Sequence, residues 1–177
     1  MEDRKSQRED RSGMIKALIF DWGDTVMRDF PDCKGPMADW EHVEWIPFME
    51  DALKILFPKY ICCIASNAGY SDSTVMYKAL KRIGADKYFH YLFTSKDLGY
   101  EKPDPRFFQK IAEEIKTDPS ECVMIGNIYE KDISGAKAVG MKTIFFNEKM
   151  ISGNFSEADI VLHSMKDLPE AVKYFSK

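Results

Sequence analysis

Short apolar runs alternate with helix-like patterns along this chain from Met14 to its end. Uninterrupted apolar runs are typical of strands buried on both faces of a parallel sheet. They predict strands at residues 17–20, 60–65, 91–94, 122–125, 143–146 and 160–162. Because these strands alternate with helices, the pattern predicts an α/β fold, a doubly wound three-layer domain with a mostly parallel sheet.

Prolines, glycines and capping residues mark the ends of the predicted helices. Pro47 and Pro105 each suit the first turn of a helix, and Asp104 is a candidate cap for the second. Gly84 and Gly140 are placed to end helices. The remaining helices are predicted to begin at Ser71 or Asp72, at about Asp132 and at Asp167.

Composition narrows the class of protein further. The chain has 177 residues, of which 45% are hydrophobic and 31% charged, which suits one soluble domain with a substantial core. We predict a disordered charged tail at residues 1–13 and a single domain at residues 14–177. The net charge of −4 gives no electrostatic reason to expect nucleic acid or an anionic membrane as a partner. No apolar run spans a bilayer, and three of the four cysteines lie in or beside predicted strands, which favours a cytoplasmic protein.

Polar residues follow the predicted strands at the points where ligands bind to parallel sheets. Asp21 ends the first strand, and taken alone it is as readily a turn residue or a helix cap as a functional group. Ser66 and Asn67 follow the second strand, Lys102 precedes a helix, and Gly126-Asn127 follows the fourth strand with Asp132 shortly after it. Each cluster alone has a structural explanation, whereas their joint occurrence in this order favours a functional site.

The order and chemistry of these clusters resemble the four motifs of the haloacid dehalogenase-like superfamily. Residues 99–105 and 125–137 carry the resemblance especially well, and it extends over nearly the whole chain from Met14. Most members of that superfamily are Mg²⁺-dependent phosphatases with a Rossmann-like fold. The resemblance therefore implies a hydrolase that uses Mg²⁺ as its cofactor and acts on a phosphorylated substrate.

The resemblance assigns the phosphate chemistry to four residues. Asp21 is implied as the nucleophile, which attacks phosphorus and forms an aspartyl-phosphate. Ser66 and Asn67 are implied to bind the substrate, with backbone amides beside them to hold phosphate oxygens. Lys102 is implied both to bind the substrate and to supply a positive charge to phosphate and nucleophile.

The resemblance also implies a Mg²⁺ site built from hard oxygen ligands. Asp21, the backbone carbonyl of Gly23, the side-chain oxygen of Asn127 and Asp132 are the expected ligands. Asn127 stands where an aspartate is common in the family. Because the site loses one negative charge there, we expect it to bind Mg²⁺ more weakly than a site with a carboxylate at that position.

A second departure from the family pattern is Gly23, where phosphatases of the family usually carry an acid/base aspartate. Asp24 follows one residue later, and it either acts as the acid/base catalyst or hydrogen-bonds amides of its own loop. Loss of general acid catalysis penalises poor leaving groups most. The sequence thus predicts a preference for substrates with leaving groups of low pKa, such as aryl or acyl phosphates.

The spacing of the motifs leaves no room for a sizeable cap domain. The interval from Asp21 to Ser66 must hold an irregular stretch at residues 27–44 and one helix, and the interval from Ser66 to Lys102 a helix and a strand. We therefore expect a capless phosphatase whose substrate is a small molecule or a macromolecule, and an oligomer that covers the site is left open. The rim candidates are Trp22, Tyr100, Tyr129 and the irregular stretch.

Two other functions stay open at this stage. Gly23 and Asn127 also suit a phosphate-binding or protein-interaction module that keeps the fold with low turnover. Loss of the acid/base aspartate is in addition a mark of relatives that cleave carbon–halogen or carbon–phosphorus bonds, so a dehalogenase or a phosphonatase is the third alternative.

Overall fold

Six parallel strands form one sheet at the centre of the protein. The structure is a computed structural model that describes residues 14–69 and 71–176, so the predicted tail at residues 1–13 lies outside the described residues. The strands are β1 (Ala17–Phe20), β2 (Ile61–Ser66), β3 (Tyr91–Thr94), β4 (Cys122–Gly126), β5 (Lys142–Phe146) and β6 (Ile160–Leu162). Their order across the sheet is β3-β2-β1-β4-β5-β6, and every pairing is parallel. The predicted doubly wound α/β architecture is confirmed.

Two hydrophobic cores lie on opposite faces of this sheet. Side chains alternate between the faces of a strand, so Leu18 and Phe20 of β1 enter one core and Ala17 and Ile19 the other. The helices that cover the sheet are α1 (Met49–Leu56), α2 (Ser73–Arg82), α3 (Ser95–Leu98), α4 (Pro105–Glu114), α5 (Gly135–Ala138) and α6 (Leu168–Tyr174). Residues of α1, α2 and α6 join the core of Phe20, whereas residues of α4 and α5 join that of Ile19. Helices thus cover both faces of the sheet, which is the predicted three-layer arrangement.

The helix caps follow the sequence signals at most ends. Asp72 accepts a hydrogen bond from Val75 N and caps α2, and Asp104 caps α4. The prediction that Pro47 occupies the first turn of a helix is wrong, because Phe48 adopts a left-handed φ of 65° and α1 begins only at Met49. The helix predicted from about Asp132 begins earlier, as a π-helical turn at Tyr129–Ser134 that continues into α5.

The stretch between β1 and α1 contains no cap domain. Its regular structure is one 3₁₀ turn at Met37–Asp39, and the Arg82 guanidinium on α2 donates hydrogen bonds to four carbonyls in and just after that turn. The expectation that no sizeable cap lies between Asp21 and Ser66 is thus confirmed, since the structure describes every residue of that interval. Among residues 14–69 and 71–176, no helix is both long and apolar enough to cross a membrane.

Candidate active site

Asp21 leaves the central strand at its carboxyl end and turns into a tight loop. Its backbone N–H donates to Ile125 O at 2.9 Å, which continues the pairing of β1 with β4 past the end of the strand. Val26 N then donates to Trp22 O at 2.8 Å and closes one helical turn behind Asp21. Because both neighbouring strands also end here, the Asp21 carboxylate lies where the polar ends of β2 and β4 converge, and it is 7% exposed.

Lys102 joins the two carboxylates of the site. Its Nζ lies 2.6 Å from Asp21 Oδ1, 2.7 Å from Asp132 Oδ1 and 2.9 Å from Ala65 O. Asn67 fixes the lysine's main chain, since Asn67 Nδ2 donates to Lys102 O and Lys102 N donates to Asn67 Oδ1, both at 2.8 Å. Sequence reasoning expected Asn67 to bind substrate; its side chain is engaged by the Lys102 backbone.

Burial and charge oppose each other at this cluster. Burial works against the charged form of Lys102, but the adjacent carboxylates of Asp132 and Asp21 outweigh it and raise the pKa of the lysine. Burial, together with the charge of Asp21, raises the pKa of Asp132 to about 6 in spite of the opposing effect of Lys102. The charged form of the lysine is therefore favoured, and the negative charges of Asp21 and Asp132 repel one another.

Asp132 approaches the strand end because residue 126 is a glycine. A Cβ on Gly126 would lie 2.3 Å from Asp132 Oδ2, closer than any side chain allows. The same oxygen accepts a hydrogen bond from Ile128 N at 2.9 Å, which anchors the π-helical turn over the end of β4. Glycine at this position is thus required for the packing of Asp132, which is 1% exposed.

Three oxygens at the end of β1 converge as ligands of a small cation would. Asn127 Oδ1 lies 3.0 Å from Asp21 Oδ2 and 3.2 Å from the carbonyl oxygen of Gly23. Neighbouring oxygens around an octahedral Mg²⁺, each at about 2.0–2.1 Å from the metal, are roughly 3.0 Å apart. A half-turn of the Asn127 amide would instead let its nitrogen donate to these oxygens and to Thr25 Oγ1. With the amide oxygen facing the other two oxygens, the donor set of carboxylate, amide and carbonyl fits Mg²⁺. Among the described residues, no group of three or more His, Cys, Asp or Glu side chains is suited to hold a metal.

A cavity of about 460 Å³ opens in front of Asp21. Ser66, Ala68 and Gly69 line one side of it. Within the described part of the chain, the Ser66 hydroxyl and the N–H groups of Ala68 and Gly69 have no hydrogen-bond partner. A row of free donors beside a buried lysine is suited to bind the oxygens of an anion.

Asp24 does not face this cavity. It has a left-handed φ of 55°, and its carboxylate accepts a hydrogen bond from Asp29 N at 3.0 Å. It also contacts Arg28 at 3.4 Å and Lys149 at 3.3 Å, while Arg28 pairs with both oxygens of Glu148 at 2.6 and 2.9 Å. Of the two roles that the sequence left open for Asp24, the geometry matches the structural one, which ties the loop to the segment after β5.

Asp29 lies in the stretch predicted for the rim, residues 27–44, but sequence reasoning did not single it out as a functional acid. It lines the cavity from the loop after β1, and it is an exposed residue. Partial burial, with the charges of Asp24 and Asp21, raises the pKa of its carboxyl although Lys149 opposes the shift. Of the predicted rim, Trp22 and residues of the irregular stretch line the same cavity. Tyr100 instead lies under the Arg106 guanidinium, and Tyr129 packs edge to face against Phe145.

The fold and the site define a class of hydrolase, and comparison with known proteins gives its family. The family model of haloacid dehalogenase-like hydrolases matches residues 37–140, so the chain belongs to that family. The glyceraldehyde 3-phosphate phosphatase of Pyrococcus furiosus is 33% identical over 84 residues, which are 48% of this chain and 33% of the relative. The chain thus matches about a third of the length of that curated relative.

Solved structures share the fold. An uncharacterized protein from Listeria monocytogenes superposes with a TM-score of 0.79 at 24% identity, over 91% of this chain and 98% of that one. The putative HAD-hydrolase YfnB from Bacillus subtilis, solved bound to magnesium, gives a TM-score of 0.73 at 17% identity, over 90% of this chain and 99% of that one. At these identities the likeness is one of fold.

Proposed function

We propose that this hydrolase is a Mg²⁺-dependent phosphohydrolase that works through a covalent aspartyl-phosphate on Asp21. The observation that carries the proposal is the position of the Asp21 carboxylate, between the Lys102 ammonium at 2.6 Å and the converging oxygens of Gly23 and Asn127. The relative from Pyrococcus, a glyceraldehyde 3-phosphate phosphatase by name, and the magnesium-bound neighbour support it. We take residues 14–177 as the catalytic domain.

The reaction proceeds in two displacements at phosphorus. One Asp21 oxygen attacks the phosphorus, the bond from phosphorus to the leaving oxygen breaks, and the leaving group departs with the electron pair and gains a proton. Water then attacks the same phosphorus, the bond to Asp21 breaks, and inorganic phosphate leaves the regenerated carboxylate. Ser66 and the N–H groups of Ala68 and Gly69 hold the phosphoryl oxygens, and the Lys102 ammonium, 2.6 Å from Asp21 Oδ1, holds the nucleophile in position.

Four residues would hold the metal: Asp21, Asn127 and Asp132 through side-chain oxygens and Gly23 through its carbonyl. Bound there, Mg²⁺ neutralises charge on the phosphoryl group. Asp132 also has a second task, because its contact with Lys102 at 2.7 Å sets the position of that lysine. No cap domain covers the cavity among residues 14–69 and 71–176, so we propose a phosphorylated substrate that reaches an accessible site.

Phosphate release by the unmodified protein tests this function. We expect saturable release of phosphate from 4-nitrophenyl phosphate with Mg²⁺, its loss in EDTA, and its recovery when Mg²⁺ is restored. A panel of aryl, acyl and sugar phosphates extends the measurement. Saturable phosphate binding without turnover on any of them would favour the low-turnover module, and halide release or carbon–phosphorus cleavage would favour the dehalogenase or the phosphonatase.

Metal affinity is expected to respond to the charge at residue 127. Asn127→Asp adds a carboxylate 3.0 Å from Asp21 Oδ2, so it increases the attraction for a divalent cation. We expect the half-saturating Mg²⁺ concentration to fall on the order of tenfold. Gln109→Glu adds the same charge on the exposed face of α4 and should leave that concentration unchanged. Equal Mg²⁺ affinities for the wild type and Asn127→Asp would remove residue 127 from the metal site.

A further inference from the structure

Residue 23 lacks a side chain, and a carboxylate from elsewhere in the loop stands beside it. A Cβ built on Gly23 would lie 3.5 Å from Asp29 Cβ and 3.6 Å from Asp29 Oδ2. These are ordinary van der Waals distances, so Asp29 borders the space into which a side chain at residue 23 would project. The loop thus brings an acidic group to the place where the sequence lacks one.

Asp29 is also the one acid in the described lining of the cavity whose side chain has neither a hydrogen-bond partner nor a proposed role. Among the described residues that line the cavity, the acids are Asp21, Asp29 and Asp132. Asp21 is the proposed nucleophile, and Asp132 is buried with its oxygens engaged by Lys102 and Ile128 N. No described group donates a hydrogen bond to the Asp29 side chain, which leaves it available to the substrate.

The loop holds Asp29 in this position through Asp24. The Asp29 backbone N–H donates to Asp24 Oδ1 at 3.0 Å, and Asp24 is itself held by Arg28 and Lys149. Arg28 in turn pairs with Glu148, 120 residues further along the chain. The two acids of the loop therefore differ in kind: Asp24 positions the backbone, and Asp29 presents its side chain.

We propose that Asp29 is the general acid and base of this enzyme, an inference that rests on the proposed phosphohydrolase function. As the bond from phosphorus to the leaving oxygen breaks, the Asp29 carboxyl gives its proton to that oxygen. In the second displacement the Asp29 carboxylate takes a proton from the attacking water as its oxygen bonds to phosphorus and the bond to Asp21 breaks. The catalyst is regenerated with its original proton count.

The test compares leaving groups in Asp29→Asn. For methyl phosphate, whose leaving group needs a proton, we expect kcat/KM to fall by about 10²–10⁴-fold. For 4-nitrophenyl phosphate, whose leaving group departs as an anion, kcat/KM should change less than about tenfold, while slow hydrolysis of the phosphoenzyme produces a burst of nitrophenolate. Asp32→Asn removes the same charge from an exposed neighbouring residue and should change neither value.

Moving the acid back to residue 23 provides the complementary test. Gly23 is not in the left-handed region, so Gly23→Asp introduces no backbone conflict. Combined with Asp29→Ala, it should restore methyl phosphate hydrolysis at least tenfold over Asp29→Ala alone. Equal losses on both substrates in Asp29→Asn, no loss, or a selective loss in Asp24→Asn instead would overturn the role of Asp29 and leave the phosphohydrolase intact. A wild type without turnover would overturn both.

Discussion

Phosphate release is expected to fall at least on the order of 10⁴-fold when Asp21 is replaced by asparagine, because the amide is a poor nucleophile. The substitution keeps the size and shape of the side chain beside Lys102. It also leaves Asp132, 2.7 Å from the Lys102 Nζ, to balance the buried ammonium, so the protein should remain folded. Steady-state release from 4-nitrophenyl phosphate measures the loss, with thermal unfolding recorded on the same sample.

The covalent intermediate gives a second measurement of the same change. Acid-quenched wild type should carry one added phosphoryl group by intact mass, and Asp21→Asn none. Glu113→Gln makes a carboxylate-to-amide change at an exposed residue of α4 and serves as the control with full activity. A folded Asp21→Asn protein that keeps more than about a hundredth of the wild-type rate would argue for direct attack by water and against a nucleophilic aspartate.

The sequence allowed the sheet to be predicted almost strand by strand. Runs such as Ala17–Phe20 are apolar throughout because both faces of a central parallel strand are buried, and this pattern requires no knowledge of neighbours. Asp72 and Asp104 could be predicted as caps for a similar reason, since a cap acts on its own helix. Pro47 led to a wrong helix start, because a proline suits a turn as well as the first turn of a helix. The left-handed φ of Phe48 separates Pro47 from α1.

The site was predictable where it depends on strand ends and not where it depends on loop folding. Asp21 and Asn127 follow parallel strands and Ser66 is the last residue of one, and because these strands end at one edge of the sheet they bring the three residues together. The ion pair of Arg28 with Glu148 joins residues 120 positions apart, and no local sequence pattern predicts it. Because that ion pair helps to set the loop, residues 27–44 could be predicted as rim candidates, but Asp29 could not be singled out among them.

Lys102→Met is expected to reduce turnover at least about 10³-fold and to destabilise the fold. Methionine matches the length of the lysine stem but removes the cation that lies 2.6 Å from Asp21 and 2.7 Å from Asp132. Two carboxylates, 7% and 1% exposed, then lose their shared partner. Breaking a buried ion pair on one side lowers the free energy of unfolding by about 3 kcal/mol or more.

The dependence of this loss on metal separates the electrostatic cause from a packing defect. Mg²⁺ bound at Asp21 would restore part of the missing positive charge, so the destabilisation of Lys102→Met should be larger in EDTA than in saturating Mg²⁺. Urea unfolding of the wild type and the variant under both conditions measures the difference. Lys110→Met, an exposed change on α4, should alter neither stability nor turnover. A loss of stability that is equal with and without Mg²⁺ would assign Lys102 to packing alone, and full activity in the variant would remove it from the site.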